Sequence, residues 1–330
     1  MTDLIARLLH FLAASLARLP WPWLLKLGDA IAALWLRLDA RESRVARRNL
    51  ELAYPDLLPG QRAQHQRAVL RTTARQALET LRLWTRPHPE NLALIREQHG
   101  VELFDAALAA GRGVIVAAPH YGNWELLNQW LAMRTPLAIL YRAPDSAVGE
   151  AFLNRVRADT RQADGSDRVT QVRAEGAAVR QLFKLLNRGG VVGILPDQQP
   201  KAGDGEFAAF FGVQALTMSL LGRLAQRSGA AVLFAYCERI DAGDRDGPRF
   251  ALHIEAAPAA IADADTQASV AALNAAVERI ARRDPAQYQW TYKRYTLRPP
   301  GSGEVTPYLE RDLERAPTPD LPLPDRKPRP

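Results

Sequence analysis

The chain has 330 residues, 47% of them hydrophobic, enough for a sizeable core, and this excludes a chain disordered throughout. A single cysteine excludes a disulfide framework and any zinc site built on several cysteines. Forty-three Lys and Arg against 36 Asp and Glu leave a net charge of +7, which favours an anionic partner (nucleic acid, acidic lipid or acidic protein) without choosing among them.

The first elements are apolar but interrupted. The start has no compact basic region and no small-residue cleavage site, so it does not read as a secretory signal. Arg7, His10, Arg18, Lys26 and Asp29 break every run that a simple spanning helix would need. Placed on a helix at about 100° per residue, Asp3, Arg7, His10 and Arg18 share one narrow face, and Leu4, Leu8, Leu9, Leu12 and Leu16 take the rest. Pro20 and Pro22 interrupt the pattern beside Trp21 and Trp23, ring types suited to a bilayer interface, and a second apolar stretch runs from Ala30 to Leu36. The first 50 residues carry eight basic side chains against four acidic ones. Two readings stand side by side: an interfacial anchor on an anionic membrane, or a helix packed on the body of the protein; a shallow or tilted span is a third.

Residues 41–110 read as helical, with turns at Tyr54-Pro55-Asp56 and Pro87-His88-Pro89. From residue 111 short apolar runs alternate with helical stretches. Strands are expected at 113–118, 137–141, 190–195, 231–236 and 250–254, and helices at 124–133, 147–162, 175–188, 216–228 and 266–283. This alternation predicts an α/β domain with a largely parallel sheet. Nine of the 23 prolines fall in residues 299–330, which read as an extended, disordered tail, and no internal repeat is present.

Ligands of open α/β sheets gather beyond the carboxyl ends of the strands. Those ends carry Pro119-His120-Tyr121-Gly122-Asn123-Trp124-Glu125, then Tyr141-Arg142, then Pro196-Asp197-Gln198. Successive strands thus deliver a His, an Arg and an Asp to one edge. His120 and Glu125, five residues apart, meet only if His120 sits in the loop before a helix and Glu125 in its first turn. Gly122 permits the sharp turn, Asn123 can cap the helix, and a carboxylate at Glu125 suits its positive end. A carboxylate behind the imidazole would make His120 a general base with its other nitrogen free. Arg142 suits a phosphate or a developing negative charge, or is a surface arginine at a strand end; Asp197 orients substrate, holds Arg142, or is a turn aspartate. His253 shares a strand face with Glu255 and reads as solvent-facing. His65, His88 and His99 lack metal-ligand spacing, and Cys237 reads as a small buried residue. There is no GK[ST] phosphate loop, no GxGxxG and no nucleic-acid module beside the basic charge.

The segment His120 to Glu125 resembles the HX4D/E motif of membrane acyltransferases, and specifically of bacterial lipid A biosynthesis acyltransferases of the lauroyl/myristoyl type. Four further segments agree in order: Arg44-Val45 with Asn49-Leu50 and Tyr54-Pro55; Tyr141-Arg142; Pro196-Asp197-Gln198 with Phe210-Phe211-Gly212 and Thr217; and Gln287-Tyr288-Gln289-Trp290 with Lys293-Arg294 and Arg298-Pro299. The resemblance covers about residues 1–300. Ala208-Ala209 stand where relatives often have Val-Pro, and Lys293 replaces the usual first Arg of a pair.

The resemblance implies a glycerol-3-phosphate-acyltransferase-like α/β fold, a mixed, largely parallel sheet flanked by helices, with amphipathic membrane-associated helices at the N-terminus. It divides the chain into anchoring helices (1–40), an acyltransferase domain (41–298) and the Pro-rich tail (299–330). It implies acyl transfer from acyl carrier protein to a hydroxyl of a lipid A precursor at the cytoplasmic face of the bacterial inner membrane, with anionic membrane lipid as a further partner. Under it His120 deprotonates the hydroxyl and Glu125 orients His120, while Arg142, Asp197, Asn123 and Gly122 contact substrate. No metal, cofactor, covalent acyl-enzyme or nucleic acid is implied. Another glycolipid or an aminolipid is the alternative acceptor.

Overall fold

The computed structural model describes residues 2–141, 146–157, 169–173, 176–244 and 247–309. Arg142, residues 158–168 and the tail beyond residue 309 lie outside them.

Four helices come first: α1 (Thr2–Leu16), α2 (Trp21–Arg37), α3 (Arg41–Ala53) and α4 (Pro59–Leu83). Pro20 precedes α2 and Pro22 falls in its first turn, where the missing N–H costs nothing, so the prolines separate two helices rather than break one. α1 packs through its small residues: Ala6 and Ala13 are buried, as is Ala17 just past its end, while Leu4, Leu8, Phe11 and Leu12 are exposed. α2 likewise buries Trp21, Leu24, Gly28 and Ala32 and leaves Trp23, Leu27 and Leu34 exposed. A side chain at Gly28 would meet the Arg75 Cγ at 2.9 Å, so this glycine lets α2 and α4 approach closely. Arg75 locks the pair with two hydrogen bonds to Asp29, at 2.7 and 2.8 Å. Among the described residues no single helix is long and apolar enough to cross a membrane; α1 and α2 pass that test only as a pair bent by 112°.

The body follows as α5 (His88–Leu92), β1 (Ile95–His99), α6 (Val101–Ala109), β2 (Val114–Ala117), α7 (Trp124–Arg134), β3 (Leu137–Tyr141), α8 (Ala147–Arg157), β4 (Val169–Arg173), α9 (Gly176–Leu186), β5 (Val191–Ile194), β6 (Gly205–Phe210), β7 (Val213–Met218), α10 (Leu220–Ser228), β8 (Ala231–Asp244), β9 (Gly247–Ala256) and α11 (Thr266–Ala281). Among the described residues seven strands form one sheet in the order β1-β9-β8-β2-β5-β3-β4. Five of them, β8 through β4, run parallel; β9 turns back against β8, and β1 lies parallel to β9. The fold is therefore mixed α/β with a mostly parallel sheet, as the alternation of elements predicted.

The central strands are buried on both sides, which explains why they read as unbroken apolar runs. Along β2 the side chains alternate between two cores. Val114 and Val116 join Leu126, Leu127 and Trp130 of α7 on one face; Ile115 and Ala117 join the other, with Leu182 of α9 and Leu224 of α10. Each such aliphatic side chain contributes roughly 1.5–3 kcal/mol by leaving water.

Several expectations need correction. Residues 95–99 form an edge strand, not helix: β1 has little apolar content and is held by its pairing with β9. β4 and the hairpin of β6 and β7 were not foreseen, and α10 starts at Leu220 because residues 213–218 are a strand. The hairpin turns at Phe211 and Gly212, both at positive φ (50° and 76°), the geometry of a two-residue hairpin turn. Phe211 pays that conformational cost with a 2.6 Å hydrogen bond from its N–H to Glu278 and with ring packing on Trp290. Pro87-His88-Pro89 opens the short α5 instead of a plain turn. His253 is half-buried, not solvent-facing: it stacks on Tyr236 and sits 3.1 Å from Glu238. Cys237 is buried, as read.

Candidate active site

Strand register builds the site. β2 and β5 are neighbours with Ala117 opposite Ile194, so both strands end at the same sheet edge. His120 lies three residues beyond the first end and Asp197 three beyond the second. The Ala118 N–H still donates to the Ile194 carbonyl at 2.8 Å, which carries the register into the loops. Both carboxylate oxygens of Asp197 then accept from His120: Oδ2 from the backbone N–H at 2.9 Å, Oδ1 from ring Nδ1 at 2.8 Å. His120 is 7% exposed and Asp197 5%. Burial opposes the charge on Asp197, but the His120 ring and hydrogen bonds from His120 outweigh it and hold its pKa below the usual carboxylate value. An ionised Asp197 at Nδ1 fixes the proton there and leaves Nε2 with a lone pair. The Trp124 ring lies edge-on to the imidazole, 4.9 Å between centroids.

The loop that carries His120 is held at every backbone N–H. Tyr121 donates to Pro119 (2.7 Å), Gly122 to Gln287 (3.1 Å) and Asn123 to Cys237 (2.8 Å). Gly122 has φ +60°, and a Cβ there would lie 1.9 Å from the Cys237 carbonyl oxygen, so only glycine makes this turn. Asn123 caps α7, its Oδ1 accepting from the Leu126 N–H at 3.1 Å. Its Nδ2 is buried and has no hydrogen-bond partner among the described residues. Gly122 and Asn123 thus do architectural work in shaping the loop and starting the helix.

A C-terminal segment closes over the loop. After a 3-10 turn at Pro285–Gln287, the Gln289 N–H donates to the His120 carbonyl at 3.0 Å. Asn49 of α3 fastens the same segment by donating to the carbonyls of Trp290 (2.6 Å) and Tyr292 (2.8 Å). Tyr288 is buried against Asp197; burial first, and the Asp197 charge second, push its hydroxyl well above the ordinary value, so it stays protonated. Arg294 is buried, donating to the Leu216 carbonyl (2.6 Å) and Thr217 Oγ1 (2.7 Å) of β7, which ties the segment to the hairpin. Beyond it, Tyr308 is also buried and bonds Asn49.

The carboxylate behind His120 is therefore Asp197, where the sequence reading put Glu125. Glu125 is buried in the first turn of α7, as that reading placed it, but the ring nitrogens of His120 meet Asp197 and, at 3.1 Å from Nε2, the side-chain amide of Gln198. The register of β2 against β5 brings Asp197 level with the loop, where its carboxylate meets Nδ1. Gln198 and Gln289 had no assigned role in the sequence; their only signal was position, one residue after Asp197 and within the C-terminal motif. Arg142 lies outside the described residues. Among the described residues no group of three His, Cys, Asp or Glu side chains is placed to hold a metal ion.

The arrangement is a buried imidazole with an ionised carboxylate at Nδ1 and an accepting Nε2, able to take a proton from an alcohol or thiol. A sequence profile of bacterial lipid A biosynthesis acyltransferases matches residues 3–296. The chain is 27% identical over 287 residues to a lipid A biosynthesis lauroyltransferase of Escherichia coli (strain K12), covering 86% of this chain and 89% of the relative. It is 27% identical over 297 residues to a lipid A biosynthesis palmitoleoyltransferase of the same organism, covering 87% and 90%. It is 30% identical over 174 residues to a phosphatidylinositol mannoside acyltransferase of Mycobacterium tuberculosis (strain CDC 1551 / Oshkosh), covering 52% and 53%.

Proposed function

The chain belongs to the bacterial lipid A biosynthesis acyltransferase family and is an acyltransferase, and we propose that it moves a fatty acyl chain from an acyl carrier protein thioester to a hydroxyl of a lipid A precursor. The observation that carries the chemistry is the 2.8 Å contact between His120 Nδ1 and Asp197, which leaves Nε2 as the base. Nε2 takes the hydroxyl proton as the oxygen attacks the thioester carbonyl. The tetrahedral species collapses, the C–S bond breaks, and the proton on Nε2 passes to the leaving sulfur. Asp197 stabilises the imidazolium between these two transfers. Glu125, buried in the first turn of α7, supports the loop that carries His120, and Arg142 takes the phosphate of the acceptor.

The N-terminal pair supplies the membrane contact. Leu4, Leu8, Phe11, Leu12, Trp23, Leu27 and Leu34 stay exposed although α1 and α2 pack on the body, a surface suited to the headgroup boundary of an anionic leaflet. This supports a site of action at the cytoplasmic face of the inner membrane, where an acidic carrier protein meets a basic enzyme.

A second acceptor class, another glycolipid or an aminolipid, draws support from the likeness to the mannoside acyltransferase. Mass spectrometry of lipids from a deletion strain separates the two: loss of one acyl chain from lipid A supports the first reading, and an unchanged lipid A with a shortened glycolipid or aminolipid supports the second. With purified protein, His120→Ala is expected to abolish transfer while leaving the thermal melt in place; normal turnover would remove the mechanism.

A further inference from the structure

General-base attack on a thioester produces an oxyanion, and acyl-transfer sites commonly meet it with backbone N–H donors. The His120 loop has none to offer. Pro119 lacks an N–H, His120 donates to Asp197, and Tyr121, Gly122 and Asn123 donate to Pro119, Gln287 and Cys237. The Gln199 N–H is taken as well, by the Tyr292 hydroxyl at 3.0 Å. Asn123 Nδ2 is without a partner, but the residue is 1% exposed and shut away from an incoming substrate.

Among the described residues one side-chain donor stands at His120 Nε2, where the reacting atoms must meet. Gln198 Nε2 lies 3.1 Å from His120 Nε2 and 3.4 Å from Gln289 Oε1. Both neighbours accept, since the His120 proton sits on Nδ1, so the amide presents its two N–H groups to them. Gln289 is itself fixed to the loop through its backbone bond to the His120 carbonyl. A hydroxyl about to lose its proton needs the same place, roughly 2.6–3.2 Å from Nε2. Its arrival displaces one N–H of Gln198 from the ring and frees that donor within a side chain's swing of the carbonyl under attack. Gln198 and Gln289 also border a cavity of about 10 Å³, with Asn49 and Tyr288 on its other sides.

We propose that Gln198 is a catalytic residue: its side-chain amide, held by Gln289, caps His120 Nε2 in the resting enzyme and donates to the thioester oxyanion once the acceptor hydroxyl has taken its place at Nε2. The step balances. The hydroxyl oxygen bonds to the carbonyl carbon as its proton moves to Nε2, and the C=O π pair becomes the oxyanion that accepts the Gln198 N–H. Re-forming C=O breaks the C–S bond, and the thiolate takes the proton back from Nε2. This rests on the His120 reading given above, and the test separates the two.

Purified full-length wild type, His120→Ala, Gln198→Ala and Gln198→Glu are assayed with a pool of saturated acyl–acyl carrier protein thioesters and a hydroxyacylated lipid A precursor. Gln198→Ala is expected to lower kcat by about 100-fold or more, the usual loss for one oxyanion donor, with KM and the midpoint of the kcat–pH profile at saturating substrates unchanged, because the acceptor hydroxyl has by then replaced the amide at Nε2. Gln198→Glu puts a carboxylate beside Nε2, so its acid limb moves to higher pH and its rate falls at least as far. Gln198→Ala running within about threefold of wild type while His120→Ala is dead would overturn this inference alone. A Gln198→Ala defect that comes with a shifted midpoint in the kcat–pH profile would overturn it too, by reducing Gln198 to a positioner of the ring. Turnover in His120→Ala would remove both.

Discussion

Asp197→Asn is the substitution on which the site reading turns. Asp197 gives one oxygen to the His120 N–H and the other to Nδ1, at 2.9 and 2.8 Å. Asparagine has a single acceptor oxygen. If that oxygen keeps the backbone N–H, the new NH2 faces Nδ1, the ring must carry its proton on Nε2, and the base is lost. If the oxygen turns to Nδ1, two donors face each other in a site where Asp197 is 5% exposed, at a cost of about 1–3 kcal/mol. In both cases no negative charge remains to stabilise the imidazolium. The same change behind a catalytic histidine in serine proteases lowers kcat about 10⁴-fold through the tautomer. For this chain a loss of roughly 10³–10⁴ is expected, or about 4–5.5 kcal/mol of transition-state stabilisation. The assay is the initial rate of acyl transfer with KM measured in parallel, alongside Glu125→Gln. The kcat of Asp197→Asn should collapse with KM nearly unchanged and the melt preserved. Retention of more than a tenth of the wild-type kcat would refute the pairing, as would a pH–rate midpoint that moves in Glu125→Gln and stays put in Asp197→Asn.

Three further outcomes follow from the same structure. Gly122→Ala forces a left-handed backbone on alanine and drives its Cβ into the Cys237 carbonyl; urea unfolding should show at least about 2 kcal/mol lost, together with activity. Glu238 is opposed by burial but held down to about 2 by hydrogen bonds from His253, Arg283 and Tyr121, against an ordinary 4.5. Its folded pKa is the lower one, so its stabilisation is full above 4.5 and is lost as pH falls towards 2; the loss is up to roughly 3 kcal/mol, and Glu238→Gln should flatten that acid limb of the stability curve. On α1, Leu8→Gln with Phe11→Gln removes two exposed apolar side chains of the proposed membrane face without adding charge, each contributing about 1.5–3 kcal/mol when buried in lipid. Sedimentation with anionic vesicles should show binding weakened by roughly a hundredfold or more with the fold intact, and unchanged binding would argue that α1 does not touch lipid.

Much of this chain is written locally. The apolar runs 137–141 and 190–195 read as strands, and β3 and β5 fall there. Asn123 as a cap and Gly122 as a turn follow from what those side chains can and cannot do with a backbone, and both were legible before any coordinates. Arrival of His120 and Asp197 at one sheet edge was legible too, because parallel strands all end on the same side. Three things were settled only in three dimensions. β1 and the β6–β7 hairpin have weak local signals and exist because neighbours complete their hydrogen bonds, as Glu278 does for Phe211. α1 packs by its alanines and exposes its leucines, a choice the helical wheel allowed but did not make. The carboxylate at His120 Nδ1 is the clearest case. Along the chain the near candidate is Glu125, five residues on. The register of β2 against β5 instead brings Asp197, 77 positions away, to 2.8 Å, because sequence separation measures the chain while hydrogen bonds measure space.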